Sequence, residues 1–204
     1  LNNDLISINQ YIDKTLDTQI VNEDASEQFR RTVVINKSID DNFLTGRCYD
    51  ESKWKETDFA QLLFQNKGLI FTDKTGLKQE SKLTSKFKLR GDFDIQINYN
   101  LTNWRIPLSS IQSCIFRIKK EDTNYIQVAR EQSPSSNVYS SNKFTGGNPD
   151  LPATTSTIDE YGVFRITRLA NIITTYYLDK NTGDFIQMQS LSWFTDDLYV
   201  EIVG

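Results

Sequence analysis

The chain has 204 residues, of which 38% are hydrophobic, 25% are charged and 12% are aromatic, and its formal net charge is −4. This composition indicates a soluble globular chain, large enough for one domain plus an extension, and the acidic balance argues against nucleic-acid binding. The chain contains no His, which excludes Ser–His and Cys–His nucleophiles and His-bound metals. No apolar run approaches the roughly 18 residues that a membrane-spanning helix needs.

Residues 1–30 differ from the rest of the chain. Apolar side chains recur there at helical spacing, at Leu5, Ile8, Ile12 and Leu16, and predict a short amphipathic helix. The polar stretch 21–28 follows as a linker. We therefore predict an extension over residues 1–30, which either packs on the domain or mediates oligomerisation, and one domain over residues 31–204.

Short strands are predicted throughout that domain. The strongest signal is residues 87–101, where apolar and polar side chains alternate after Gly91, as in a strand with one buried and one wet face. A second block, residues 160–185, predicts a strand, a tight turn at Ala170–Asn171, a strand and a turn at 181–183. The complete set of predicted strands is 31–36, 39–43, 62–65, 69–72, 83–89, 93–101, 113–119, 125–131, 163–168, 172–178, 185–189 and 198–203.

This pattern predicts an all-β fold, an antiparallel jelly-roll sandwich of two sheets. The phase of residues 172–178 leaves open whether Tyr176 or Tyr177 faces the core. The predicted core consists of Phe87, Leu89, Phe93, Ile95, Ile97, Tyr99, Phe116, Ile118, Ile126, Val128, Phe164, Ile166, Val200 and Ile202.

The segments SKFKLRGDFDIQINYNL, CIFRIKKEDTNYIQVAR and FRITRLANIITTYYLDKNTGDF resemble the concanavalin A-like lectin/glucanase superfamily, in particular its laminin-G-like and DUF1349-type jelly rolls. IDDNFLTGRCYDESKW, residues 39–54, resembles the opening of the same domains. Ala170 stands where these domains usually have Gly. The resemblance spans residues 39–204 and implies a fold shared by lectins, hydrolases and structural modules.

Retaining glucanases of that superfamily carry a carboxylate pair on one strand, as nucleophile and acid/base. The comparable alternating strand here carries Asp94, Gln96 and Asn98. Because an amide can neither ionise nor donate a proton as a general acid, we expect a non-enzymatic protein without a catalytic residue.

Glycan binding is the first functional hypothesis. Amides and guanidinium groups bond sugar hydroxyls, and aromatic rings stack on the apolar faces of sugars. The alternative is that the candidate residues occupy ordinary solvent-facing positions of a sandwich. The candidate residues are Gln96, Asn98, Trp104, Arg117, Tyr125, Gln127, Tyr139 and Arg165.

Other motifs have simpler explanations. DKNTGD, residues 179–184, lacks the Gly and Glu spacing of a calcium loop and predicts a hairpin turn with Gly183 at positive φ. Cys48 and Cys114 either pair or remain buried thiols. The Arg90–Gly91–Asp92 tripeptide lies at the turn between two predicted strands, and this position explains it as a structural element. No cofactor is expected, although a structural calcium remains possible, with oxygen donors at Asp40, Asp41, Asp196 and Asp197.

The functional hypothesis is a lectin-like module of a cell-surface, secreted or virion protein, with a glycan as partner. The alternative is a capsid, tail or filament subunit that uses the lectin fold to contact copies of itself or a larger assembly. We also predict that residues 132–157 form a long loop bordering a concave sheet that carries Gln127 and Arg165, with Tyr139 either filling the groove or standing at its rim.

Overall fold

A computed structural model describes residues 52–57, 61–64, 69–72, 82–101 and 111–204. The predicted N-terminal helix and linker, the first two predicted strands, Cys48, Trp104 and the Asp40–Asp41 pair lie outside these residues. No helix occurs within the described ranges, and none there could therefore cross a membrane. The described strands are β1 Trp54–Thr57, β2 Gln61–Phe64, β3 Leu69–Thr72, β4 Lys82–Ser85, β5 Phe93–Asn100, β6 Gln112–Glu121, β7 Asn124–Gln132, β8 Asn137–Thr145, β9 Asn148–Pro149, β10 Ala153–Ser156, β11 Tyr161–Leu169, β12 Ile172–Leu178, β13 Phe185–Ser192 and β14 Tyr199–Val203.

The strands form two antiparallel sheets that pack face to face. The larger sheet has the order β1-β4-β14-β6-β7-β8-β10, and the short β9 also pairs with β8. The smaller sheet has the order β13-β12-β11-β5, and β2 and β3 form a separate hairpin. This arrangement confirms the predicted β-sandwich.

The core lies between the inner faces of the two sheets, as period-two alternation requires. In the smaller sheet Ile95, Phe164 and Ile166 face it, and in the larger sheet Ile118 and Val128 do. Phe87, Phe93 and Ile97 are only partly buried at its margin, and the other predicted core residues are buried in it. Tyr177 packs against this core, which resolves the phase of β12.

The region 132–157 is not the long loop predicted above, because it contains β8, β9 and β10. The inward positions of β8 are Tyr139 and Ser141, both fully buried. The Ser141 hydroxyl bonds the Thr175 hydroxyl of the opposite sheet at 2.7 Å. Since these inward side chains are polar, β8 lacks the apolar alternation by which the other strands were found.

Two turns occur at the positions that the sequence predicts. Gly183 has φ 77°, and its N–H bonds the carbonyl of Asp179 at 2.8 Å, so residues 179–184 form a hairpin turn. Ala170 has φ 55°, an unusual value for a residue with a Cβ atom. The Asp92 carboxylate holds this turn by accepting the Ala170 N–H at 2.6 Å.

The tripeptide that contains Asp92 is therefore a structural corner. Gly91 has φ 58°, and its carbonyl accepts a hydrogen bond from the Arg168 guanidinium. Arg90 pairs with Asp197 at 2.8 Å.

Candidate functional site

The structure divides the candidate residues between two surfaces. Arg117, Tyr125 and Gln127 lie on the outward face of the larger sheet, whereas Gln96, Asn98 and Arg165 lie on the outward face of the smaller sheet. Gln127 and Arg165 thus point to opposite sides of the sandwich, so the expectation that one sheet carries both is wrong. Tyr139 is in the core, neither filling a groove nor standing at its rim. Trp104 lies outside the described residues.

On the larger sheet, Arg117 is fully engaged within the protein. Its Nε and Nη2 donate to Gln127 Oε1 at 3.2 and 3.0 Å, and its Nη1 donates to Glu201 Oε2 at 2.9 Å. Arg117 and Gln127 are both buried. These donors and acceptors are satisfied by one another, which is how a folded chain tolerates buried charge.

Glu201 is the centre of this network and is only 1% exposed. Its Oε1 also accepts hydrogen bonds from Lys119 Nζ at 2.5 Å and Thr84 Oγ1 at 2.9 Å. Burial alone would raise the pKa of Glu201, but the Lys119 ammonium and the Arg117 charge outweigh it and lower the pKa below its usual range. Burial likewise opposes the charge of Lys119, but hydrogen bonds to Glu201 and Asp122 raise the Lys119 pKa.

Tyr125 on this face is partly exposed, and protein groups pack against its ring. The Arg117 guanidinium lies 4.1 Å from its ring centroid, and Phe144 stacks on it with centroids 4.3 Å apart. Arg117 comes from β6 and Phe144 from β8, the strands on either side of β7. The ring is therefore already packed against a guanidinium and a second ring, which disfavours it as a stacking platform for a sugar.

The outward face of the smaller sheet is accessible. Arg165 on β11 is 29% exposed and makes a two-point pair with Asp94 on the neighbouring β5, with Nε to Oδ1 at 2.8 Å and Nη2 to Oδ2. Gln96 lies directly across from Arg165, and the exposed Asn98 follows on the same face. The hydrogen bonds to Asp94 raise the pKa of Arg165, although burial opposes this, so the guanidinium keeps its charge.

Two aromatic residues complete this surface. The Arg165 guanidinium carbon lies 5.4 Å from the Tyr176 ring centroid and 5.1 Å from that of Phe185. The two rings meet edge to face at 74°, unlike the closed stack around Tyr125. Gln187 is exposed directly across from Tyr176. Phe185 and Gln187 were not predicted as site residues because they lie on an edge strand, and the phase of Tyr176 was ambiguous.

The described residues contain no group of three or more His, Cys, Asp or Glu that could hold a metal ion. Asp196 and Asp197, proposed as calcium donors, are paired with Lys120 at 2.9 Å and with Arg90 at 2.8 Å. Cys114 is partly buried against the core, and this burial raises the pKa of its thiol to about 12. A thiol with this pKa is protonated at neutral pH and is a poor nucleophile or ligand.

Comparison with solved structures identifies the architecture. A legume lectin-like domain from Entamoeba histolytica superimposes with a TM-score of 0.55 and 12% identity, over 74% of this chain and 81% of that chain. This chain has the concanavalin A-like jelly-roll fold. The predicted resemblance is thereby confirmed.

Other concanavalin A-like structures are similar. A functionally unknown protein from Saccharomyces cerevisiae matches with a TM-score of 0.52 and 12% identity, over 74% of this chain and 86% of that one. A glycoside hydrolase family protein from Mycobacterium thermorestibile matches with a TM-score of 0.52 and 10% identity, over 80% and 86%. No protein-family model and no curated protein sequence matches the chain. Because the sequence identities are this low, similarity to these structures establishes the fold alone. Proteins with this fold include both binding proteins and enzymes.

Proposed function

We propose that this chain is a non-catalytic, lectin-like carbohydrate-binding module whose binding surface is the outward face of the smaller sheet around Arg165. The observation that supports it is the accessible Arg165–Asp94 pair, with Tyr176 and Phe185 beside the guanidinium. We define the Arg165 surface as Asp94, Gln96, Asn98, Arg165, Tyr176, Phe185 and Gln187. The proposal includes an extracellular, cell-surface or virion location.

The chemistry of the Arg165 surface suits sugar hydroxyls. The amides of Gln96 and Gln187 supply both donors and acceptors, the fixed guanidinium supplies donors, and the Asp94 carboxylate supplies acceptors. The pair also holds the two charged groups in place before a ligand arrives, which reduces the ordering cost of binding. Aromatic rings next to planar polar groups provide the apolar contact that a sugar ring needs.

Carboxylate geometry supports a binding role over glycoside hydrolysis. Glu131 and Glu201 both point outward from the larger sheet, but they lie two strands and four residues apart by register. This spacing corresponds to about 16 Å, whereas a catalytic pair needs about 5 to 9.5 Å. Asp94 is already bound to Arg165, and its strand offers amides at the next outward positions.

The test is glycan binding by the full chain. We expect the wild type to bind a subset of neutral oligosaccharides on an array, with millimolar or tighter affinity by calorimetry. Arg165→Ala and Tyr176→Ala should each weaken binding at least tenfold. Arg90→Ala is the matched control, because it removes another exposed arginine that pairs with an aspartate, and it should bind like the wild type.

Two results would contradict the proposal. One is no glycan bound at millimolar concentration. The other is glycan binding that survives both Arg165→Ala and Tyr176→Ala, which would place the site elsewhere. Circular dichroism of each variant verifies that the sandwich remains folded.

A further inference from the structure

A second candidate site lies between the end of β8 and the end of β13. Lys143 and Thr145 at the end of β8 and Ser192, Trp193 and Phe194 at the end of β13 line a cleft of about 340 Å³. We call it the Trp193 cleft. Its volume lies at the small end of the range for ligand pockets and suits one or two sugar rings.

The walls of the Trp193 cleft combine aromatic and hydroxyl groups. Phe194 is 39% exposed, so its ring is accessible to a ligand. Trp193 is buried, and its indole Nε1 has no hydrogen-bond partner among the described residues. Because Trp193 lines the cleft, its indole N–H signal should report on a ligand that binds there.

One of the two lysines near the cleft is only loosely paired. The Lys143 Nζ lies 3.4 Å from the nearer carboxylate oxygen of Asp150, which is longer than an ordinary hydrogen bond, and Asp150 is exposed. The other, Lys120, has its Nζ 4.6 Å from the Phe194 ring centroid and is paired with Asp196 at 2.9 Å. A ligand carboxylate could therefore displace Asp150 at Lys143 at small cost.

We propose that the Trp193 cleft binds an acidic sugar, with its ring against Phe194 and its carboxylate on Lys143. The cleft is distinct from the Arg165 surface, because Ser192 lies roughly 16 Å along β13 from Gln187. The proposal goes beyond the function proposed above and does not depend on it.

The experiment uses the full chain, labelled with ¹⁵N, and two matched probes, methyl β-glucuronide and the neutral methyl β-glucoside. Trp193→Phe assigns the Trp193 indole N–H signal. We expect the glucuronide to shift this signal in a saturable way at millimolar concentration and the glucoside to bind at least fivefold more weakly. Lys143→Gln should remove the preference for the acid, and Phe194→Ala should weaken both probes.

Lys88→Gln is the control, since Lys88 also lies over an aromatic ring, that of Tyr199 at 4.8 Å, but does not line the cleft. Arg165→Ala should leave the Trp193 response unchanged, which separates this proposal from the first. Equal affinity for both probes would overturn the preference for acidic sugars. An indole signal that neither probe shifts would overturn the site itself.

Discussion

Ala170 carries a local strain that a single substitution should relieve. Its φ of 55° lies in the left-handed region, which favours Gly over a residue with a Cβ atom. We expect Ala170→Gly to raise the free energy of unfolding by up to about 1 kcal/mol, measured by urea denaturation. The Asp92 carboxylate that accepts the Ala170 N–H remains in place.

Gly183→Ala provides the reverse control at a second turn. Gly183 has φ 77°, and a Cβ atom added there would meet no atom within 4 Å, so only backbone strain is introduced. We expect Gly183→Ala to lower the free energy of unfolding by about 1 kcal/mol. Equal stability of Ala170→Gly and the wild type would show that the turn tolerates the left-handed conformation without measurable strain.

Glu201 should make the fold sensitive to acid. Its pKa is lower in the folded chain than in the unfolded chain, so its stabilising effect is present above the unfolded value, about 4.3, and is lost as pH falls through the folded value. We expect Glu201→Gln to lower the free energy of unfolding by about 3 kcal/mol at pH 7, because the buried Arg117 loses the carboxylate that pairs with it and Lys119 is left with the exposed Asp122. The difference from the wild type should shrink towards pH 3.

Glu131→Gln is the control for Glu201, because it removes a carboxylate of the same sheet face that is hydrogen-bonded to Ser140. At neutral pH, Glu131→Gln should lower the free energy of unfolding by less than Glu201→Gln does. A difference between wild type and Glu201→Gln that stays constant from pH 7 to pH 3 would show that the pKa of Glu201 is the same in the folded and unfolded chains, and would contradict the prediction.

At the scale of the elements, a polar chain joins the two sheets. The hydroxyls of Tyr99 on β5 and Tyr139 on β8 are 2.8 Å apart, and Tyr139 donates to Asp159 Oδ2 at 2.8 Å. Lys180 pairs with the other oxygen of Asp159 at 3.0 Å. The Tyr139 ring also stacks on Tyr177, with centroids 4.3 Å apart.

Tyr139→Phe should break this chain while keeping the stack. We expect a loss of about 1 to 3 kcal/mol in urea unfolding, because Tyr99 and Asp159 each lose a buried partner. Tyr161→Phe, which removes an exposed hydroxyl and keeps the ring beneath Lys180, should change stability by less than about 0.5 kcal/mol. If both variants match the wild type, the polar chain adds nothing to the contact between sheets.

The same tyrosine predicts a loss of stability in alkali. Burial, assisted by Asp159 although the Tyr99 hydroxyl opposes it, raises the pKa of Tyr139 to about 12. The folded chain therefore holds this proton more tightly than the unfolded chain, and stability declines as pH rises from about 10 towards 12. The decline should be shallower in Tyr139→Phe when unfolding is followed at pH 9 and pH 11.

At the scale of the whole molecule, the binding and assembly hypotheses predict different oligomeric states. The binding proposal predicts a monomer at micromolar concentration, both for the full chain and for a chain lacking residues 1–30. Sedimentation in the analytical ultracentrifuge would reveal the oligomeric state of both chains. Circular dichroism would show whether residues 31–204 keep their β-sheet signal. An oligomer that dissociates when residues 1–30 are removed would favour assembly instead.

The sequence alone determined most of the sandwich, because its strands bury one apolar face. Alternation in β5, β6, β7 and β11 reports directly which side of a strand meets the core. Gly91 and Gly183 marked their turns for a similarly local reason, since few other residues adopt a positive φ at low cost. The predicted bounds of β12 coincide with the observed ones, Ile172–Leu178.

The tertiary structure decided which outward side chains share a surface, because that depends on sheet order rather than on any local pattern. Arg117 and Arg165 look alike along the chain, yet one is enclosed by Glu201, Gln127 and Tyr125 and the other is accessible. Glu201 lies 84 residues from Arg117 and meets it only because β14 pairs with β6. Strand β8 escaped prediction for the same reason, since its buried hydroxyls are satisfied by partners on the opposite sheet.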